Sequence, residues 1–254
     1  TRANFDDVLK SLSPPSGPLG ILIPPWQRRL VWDDEDVEKL IHTQSNLFGT
    51  AILASLGNTN EMFLIDGLQR FSTATAILNV LYDEVLKPTP NNRAAAQYFT
   101  SLSQEYQTKQ PLFSYNHEML LNHGRTGIRK SYGKLFGSVK NVIDKGISDD
   151  AENFAKIITR ALMQRQIAVD PYYGFTNMSE LIKTFLEINS TGVILKPVDL
   201  LRSQIISHVS DLGWSEATIE DFENNFTSTF QEGPAWITTL GTHMNDVMYN
   251  LEDF

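Results

Sequence analysis

Glu61-Met62-Phe63-Leu64-Ile65-Asp66-Gly67-Leu68-Gln69-Arg70-Phe71-Ser72-Thr73 is the stretch that decides how this chain folds. Its first five residues form an apolar run of strand length, and Asp66-Gly67 breaks that run. Beyond the break, apolar residues recur at Phe71, Ala74, Ile77, Leu78, Leu81, Tyr82 and Val85, which is helical spacing. The sequence therefore predicts a strand, a tight turn and a helix near Gln69–Leu86. An acid, a glycine, an amide and an arginine gather at the helix start. Free backbone N–H groups and the positive end of the dipole make such a start a place for anions. Arg70 adds a planar fork of donors suited to phosphate, with an acid or an anion expected to compensate its charge. Asp66 reads as a metal holder or as the group that orients a water. The same residues also read as a plain turn and cap, since Asp-Gly is a common turn pair.

Two further segments carry polar residues in unusual settings. Ile21-Leu22-Ile23-Pro24-Pro25-Trp26-Gln27-Arg28-Arg29-Leu30-Val31-Trp32 starts as a strand and is cut by prolines. It places Gln27 and an arginine pair between tryptophans, just before a helix capped by Asp33, Asp34, Glu35 and Asp36. Phe185-Leu186-Glu187-Ile188-Asn189-Ser190-Thr191-Gly192 ends a second helix in a turn rich in short polar groups. Pro197 opens the helix after it, on which Asp199 and Arg202 stand three apart and are expected to pair at the surface.

In this order the segments resemble the N-terminal domain of the GmrSD-type restriction family. Its members show I-P-x-x-Q-R-x-x-V-W, then D-G-Q-Q-R-x-T-T, then F-x-x-I-N-x-x-G-x-x-L-x-x-x-D-L-x-R. Here residues 23–32 read I-P-P-W-Q-R-R-L-V-W, residues 66–73 read D-G-L-Q-R-F-S-T, and residues 185–202 read F-L-E-I-N-S-T-G-V-I-L-K-P-V-D-L-L-R. The resemblance spans about residues 5 to 210. It implies a small ParB/sulfiredoxin-like mixed sheet, and binding of a nucleoside triphosphate with Mg²⁺ in a system that attacks modified or foreign DNA. Gly67, Arg70 and Thr73 meet the G-x-x-R-x-x-[AT] spacing of ParB-like phosphate sites. The implied site joins Gln27, Arg28, Gly67, Arg70 and Thr73 as phosphate holders. Asp66 serves as metal ligand and, with Gln69, orients the attacking water. Asn189 and Asp199 enter on the resemblance alone. Leu68 stands where the family has glutamine, and Phe71-Ser72 replaces leucine-threonine, which puts hydrolysis in doubt more than binding. The rival reading is a non-enzymatic ParB-like module that binds DNA or a protein.

Composition limits the remaining chemistry. The chain has no cysteine, so disulfides, thiolate metal sites and sulfiredoxin chemistry are excluded. There is no H-E-x-x-H, no P-loop, no G-x-S-x-G and no H-N-H nuclease pattern. The resemblance to the GmrSD-type family implies a separate nuclease domain or chain as partner. His117 and His123 lie six apart and read as ordinary exposed or core histidines rather than ligands. No apolar run reaches membrane-spanning length and no secretory pattern opens the chain, so no membrane and a cytoplasmic setting are expected. Because residue 1 is threonine, a chain processed or cut from a longer one is expected.

The formal net charge of −9 is unevenly spread. Residues 211–254 hold nine acids and no Lys or Arg, while residues 1–210 are balanced. That end is expected as solvated helix faces or as a surface for a basic partner. Its Trp214, Phe222, Phe226, Phe230 and Trp236 predict packed helix there. DNA contact is expected instead at Arg125, Arg129, Lys130 and Lys134, although a polar loop leading into a helix reads the same way. The fold class expected is α+β. Residues 1–87 form the sheet-bearing, nucleotide-binding part, with helices near Phe5–Leu12 and Asp34–Gln44. The break at Pro88–Asn92 separates it from a mostly helical part, 93–254, which has a short strand at Gln166–Val169.

Overall fold

A computed structural model describes residues 2–4, 20–24, 27–57, 61–86, 93–100, 102, 110–122, 126–176, 178–190 and 197–230. The helix expected near Phe5–Leu12, the break at Pro88–Asn92, and His123, Arg125 and Trp236 lie outside these residues. The fold is α+β. Five strands make one mixed sheet: β1 (Arg2–Asn4), β2 (Gly20–Leu22), β3 (Leu47–Leu56), β4 (Glu61–Asp66) and β5 (Gln166–Phe175), in the order β1-β5-β3-β4-β2. β3 and β4 run antiparallel, as the turn residues at Gly57 predict. β2 pairs parallel to β4, and β5 parallel to β3. The chain thus returns to the sheet after residue 93, and the two sequence regions share it.

β5 is longer than the four residues the sequence predicts, because it continues through Pro171 and Gly174. Those residues normally demote a strand. Among the described residues β1 pairs with β5 at Gln166–Ala168, and Pro171 lies opposite Leu53 of β3.

β4 explains its own apolar run. Met62 and Leu64 join the main core, whereas Phe63 and Ile65 join a second cluster on the opposite face. Successive strand side chains alternate faces, so a strand covered on both sides must be apolar throughout. The main face is covered by α1 (Asp34–His42), α2 (Leu68–Leu81), α3 (Gln110–Leu121) and α4 (Thr126–Thr159). The other is covered by α5 (Met178–Ser190), through Leu181, Ile182 and Phe185. α6 (Pro197–Asp211) and α7 (Glu216–Phe230) hold a smaller cluster around Ile206, Val209 and Ile219. Phe222 and Phe226 of α7 pack with ring centroids 5.5 Å apart, so that part of the acid-rich end is packed helix, whereas Trp214 lies in the link before α7 and is exposed.

Local signals set several boundaries. Asp33 caps α1 by accepting hydrogen bonds from the Glu35 and Asp36 amides at 3.0 and 3.2 Å. α2 ends in a π-helical turn at Tyr82–Leu86. α4 is two helices joined at Asp150, whose backbone (φ −159°, ψ 87°) is not helical and whose carboxylate caps the second piece through the Asn153 amide. Phe154 folds back over Gly146, where a side chain would collide with its ring.

His117 of α3 meets the buried Tyr132 of α4, with Nδ1 2.8 Å from the phenol oxygen. Burial lowers the imidazole pKa from its ordinary 6.5, against the raising pull of Glu118 and Asp83. The folded chain resists protonating His117 and the unfolded chain does not. The unfolded state therefore binds more protons just below pH 6.5, and stability falls as pH drops through that window. Melting temperature measured from pH 7.5 down to about 5 should show this fall. His117→Gln, which cannot titrate, should remove part of it; an unchanged acid limb in that variant rejects the assignment.

Candidate functional site

The site begins at the turn between β4 and α2. Gly67 adopts φ 102°, a left-handed conformation that disfavours side chains. A Cβ there would also lie 3.1 Å from the Thr50 carbonyl oxygen and 3.2 Å from Ala51 Cα, so the turn presses directly on β3. No side chain caps α2. Its first helical bond runs from the Phe71 amide to the Gly67 carbonyl at 2.9 Å, which leaves the amides of residues 68–70 without a helical acceptor.

Every residue of α2 except Arg70 is buried. The helix runs through the centre of the molecule and shows only that arginine. Arg70 lies across Gly49, where a Cβ would come within 2.4 Å of its Cδ, and donates from Nη1 to the Thr50 carbonyl at 3.2 Å. Among the described residues no acid forms an ion pair with Arg70. The acid expected to compensate it is replaced by a β3 carbonyl, because Gly49 opens a path across the strand.

The Gln27–Trp32 segment is an irregular loop fastened at almost every residue. Gln27 Nε2 donates to the carbonyls of Leu64 and Ile65 at 2.6 and 2.8 Å. Its own carbonyl accepts from Arg202 Nη2 at 3.0 Å. Gln69 donates to the Arg29 carbonyl at 3.1 Å and accepts from the Val31 amide at 3.0 Å. The Leu30 amide donates to Ser131 Oγ of α4 at 2.9 Å.

These bonds change the roles expected from sequence. Both ends of the Gln69 amide group hold the loop, so Gln69 positions that loop beside the cleft. Gln27 likewise spends its amide N–H groups on β4. Thr73 does not reach the cleft: it is fully buried, and its hydroxyl donates to the Gln69 carbonyl at 2.8 Å. Its distance from the turn is the reason, since one helical turn carries it into the core.

Arg28, Asp66, Gly67 and Arg70 do converge on one cleft of about 190 Å³. Gln27 and Gln69 line it too, and Trp32, Leu68, Phe185 and Ile188 form its apolar walls. Leu68 makes one wall apolar where the expected pattern has an amide. Asn189 lies in the last turn of α5 and Asp199 in the first turn of α6; their side chains lie outside the described set. Among the described residues no group of three or more His, Asp or Glu gathers as a metal site.

Arg202 is not at the surface, where the spacing from Asp199 places it. It is buried, and its Nη1 donates to Glu223 Oε1 of α7 at 2.6 Å. Glu223, one of the nine acids at the chain's end, is therefore core rather than solvated face, and no local pattern announces it. Arg165 is a second buried arginine that spacing does not reveal. It donates to the Leu40 and Leu47 carbonyls at 2.6 and 3.0 Å and joins α1 to β3. Its desolvation lowers the guanidinium pKa, with Arg160 adding to the effect. Arg129, Lys130 and Lys134 are exposed on the first turns of α4, flanking the Ser131 that anchors the loop.

No helix among the described residues is long and apolar enough to cross a membrane. The family described as GmrSD restriction endonuclease, N-terminal domain, matches the chain over residues 10–206. No curated protein and no solved structure matches it.

Proposed function

The chain belongs to the GmrSD restriction endonuclease N-terminal domain family, and from that premise we propose that its cleft binds the phosphates of a nucleoside triphosphate. Membership makes it a module of a restriction system. The observation that supports the finer reading is the meeting of Arg28, Asp66 and Arg70, distant in sequence, beside the uncapped start of α2. Two guanidinium groups and free helix amides form a donor set that suits phosphate oxygens. The apolar wall of Trp32 and Phe185 suits the base or sugar. Asp66 is the one carboxylate on the cleft wall among the described residues. Mg²⁺ commonly rests on one or two carboxylates plus phosphate oxygens, so Asp66 is its proposed holder, and the metal would neutralise phosphate charge.

Binding is better supported than turnover. Phosphoryl transfer needs a group free to place the water, and Gln69 is tied to the loop. Among the described residues Asp66 is left for that role, and hydrolysis is expected to be slow. The chain then acts chiefly as a nucleotide-binding module beside a nuclease on another domain or chain. DNA is proposed to lie along Arg129, Lys130 and Lys134, with Arg125 continuing the run.

Thermal denaturation with each common ribonucleoside triphosphate and Mg²⁺ tests the reading. A ligand at about 100 times its Kd raises stability by about 2.7 kcal/mol, a shift of several degrees. Phosphate release with and without DNA then separates binding from turnover. No melting shift with any triphosphate at millimolar concentration rejects the nucleotide role.

A further inference from the structure

Glu223 is removed from the cleft in sequence, yet one side chain connects the two. Arg202 donates one guanidinium nitrogen to Glu223 and the other to the Gln27 carbonyl. Both charged side chains are over nine-tenths buried, at 6% and 7% exposure. A buried ion pair is a poor source of net stability but a strong geometric constraint. Here it fixes a carbonyl in the peptide unit that leads directly into Arg28. We propose that Glu223 is a positioning residue for the cleft: it orients Arg202, which clamps the Gln27–Trp32 loop and so holds Arg28 at the cleft wall.

Other fastenings act on the same loop, among them those from Gln27 to β4, from Gln69 and from Ser131. They belong to the sheet-and-helix body. The Arg202 clamp comes from the α6–α7 pair, and it reaches past residue 206, where the family match ends. The cleft is therefore completed by a helix that the family pattern does not include. Loss of the clamp frees one side of the loop without touching the core of α2.

The importance of this clamp for ligand binding rests on the phosphate reading of the cleft; its effect on the loop does not. The test therefore reads both. In the ligand-free full chain, hydrogen exchange at the Leu30 and Val31 amides reports the loop, because both belong to it and donate across to Ser131 and Gln69 on the helices that hold it. Exchange along α2 reports the fold. Glu223→Gln keeps an acceptor for Arg202 and should leave both near wild type. Arg202→Met with Glu223→Leu removes both charges while keeping similar volume. It should speed Leu30 and Val31 exchange at least tenfold and leave α2 unchanged. Arg202→Lys keeps a cation for Glu223 but loses the fork that reaches Gln27, and should loosen the loop in the same way.

Wild-type loop exchange in a folded double variant overturns the proposal. So does loss of α2 protection in both the double variant and Arg202→Lys, because the pair is then a folding requirement. Affinity for inorganic tripolyphosphate with Mg²⁺, measured by calorimetry, should drop at least fivefold in the double variant; unchanged affinity with a loosened loop also overturns it. A loosened loop in a chain whose wild type binds no tripolyphosphate upholds the clamp and rejects only the phosphate reading.

Discussion

Arg70→Ala lowers affinity for a nucleoside triphosphate by about tenfold or more and leaves the fold standing. A hydrogen bond to a charged group is worth about 1.5–3 kcal/mol, and 1.4 kcal/mol is a factor of ten. Arg70 is the sole residue of α2 that is not buried, so truncation opens no hole in the core. The folded state loses the bond to the Thr50 carbonyl, a cost of about 1 kcal/mol. Gly49→Ala provides an independent check with Arg70 still present. Its Cβ would fall 2.4 Å from Arg70 Cδ, so the arginine must leave its track across β3. Affinity should fall in this variant as well, with added backbone strain because Gly49 has φ 141°. Calorimetric titration with the best triphosphate checks both; wild-type affinity in Arg70→Ala removes the phosphate role from this residue.

Gln27→Leu has the largest expected effect on stability. The side chain is 4% exposed and donates to two β4 carbonyls. Leucine leaves both without that partner, at about 1–3 kcal/mol for each buried group. A total loss of about 2–4 kcal/mol is expected, a large share of a typical domain's stability. Arg28→Ala is the contrasting case. Its half-buried side chain lines the cleft and makes no ion pair among the described residues, so stability should change by about 0.5 kcal/mol or less while affinity falls. Urea denaturation with an unchanged slope would confirm the first effect as folded-state destabilisation. Equal destabilisation by the two substitutions would contradict the division between a fastening residue and a ligand-facing one.

Much of the local architecture was legible because it depends on neighbours in the chain. The strand–turn–helix at 61–81, the Asp33 cap and the Pro197 helix start follow from period, breaker and capping chemistry within a few residues. The convergence of Arg28, Asp66 and Arg70 was also anticipated, since polar residues at two element junctions favour a shared cleft. The full length of β5 was not legible, because Pro171 and Gly174 normally demote a strand, and their place in it is set by pairing with the distant β3.

By itself, then, the sequence determined the α+β class, the helix start that faces the cleft and the arginines that reach it. Only the tertiary structure decided what the other polar residues of the motifs do. Gln27 and Gln69 look like site chemistry in sequence, yet their partners lie 37 to 40 residues away and are backbone groups. Arg202 looks like a surface ion pair, yet it bonds to a carbonyl 175 residues distant and to an acid on the next helix. An amide or guanidinium carries the same donors wherever it stands. Whether it meets a ligand or a peptide carbonyl is set by which backbone groups the packed fold leaves unsatisfied beside it.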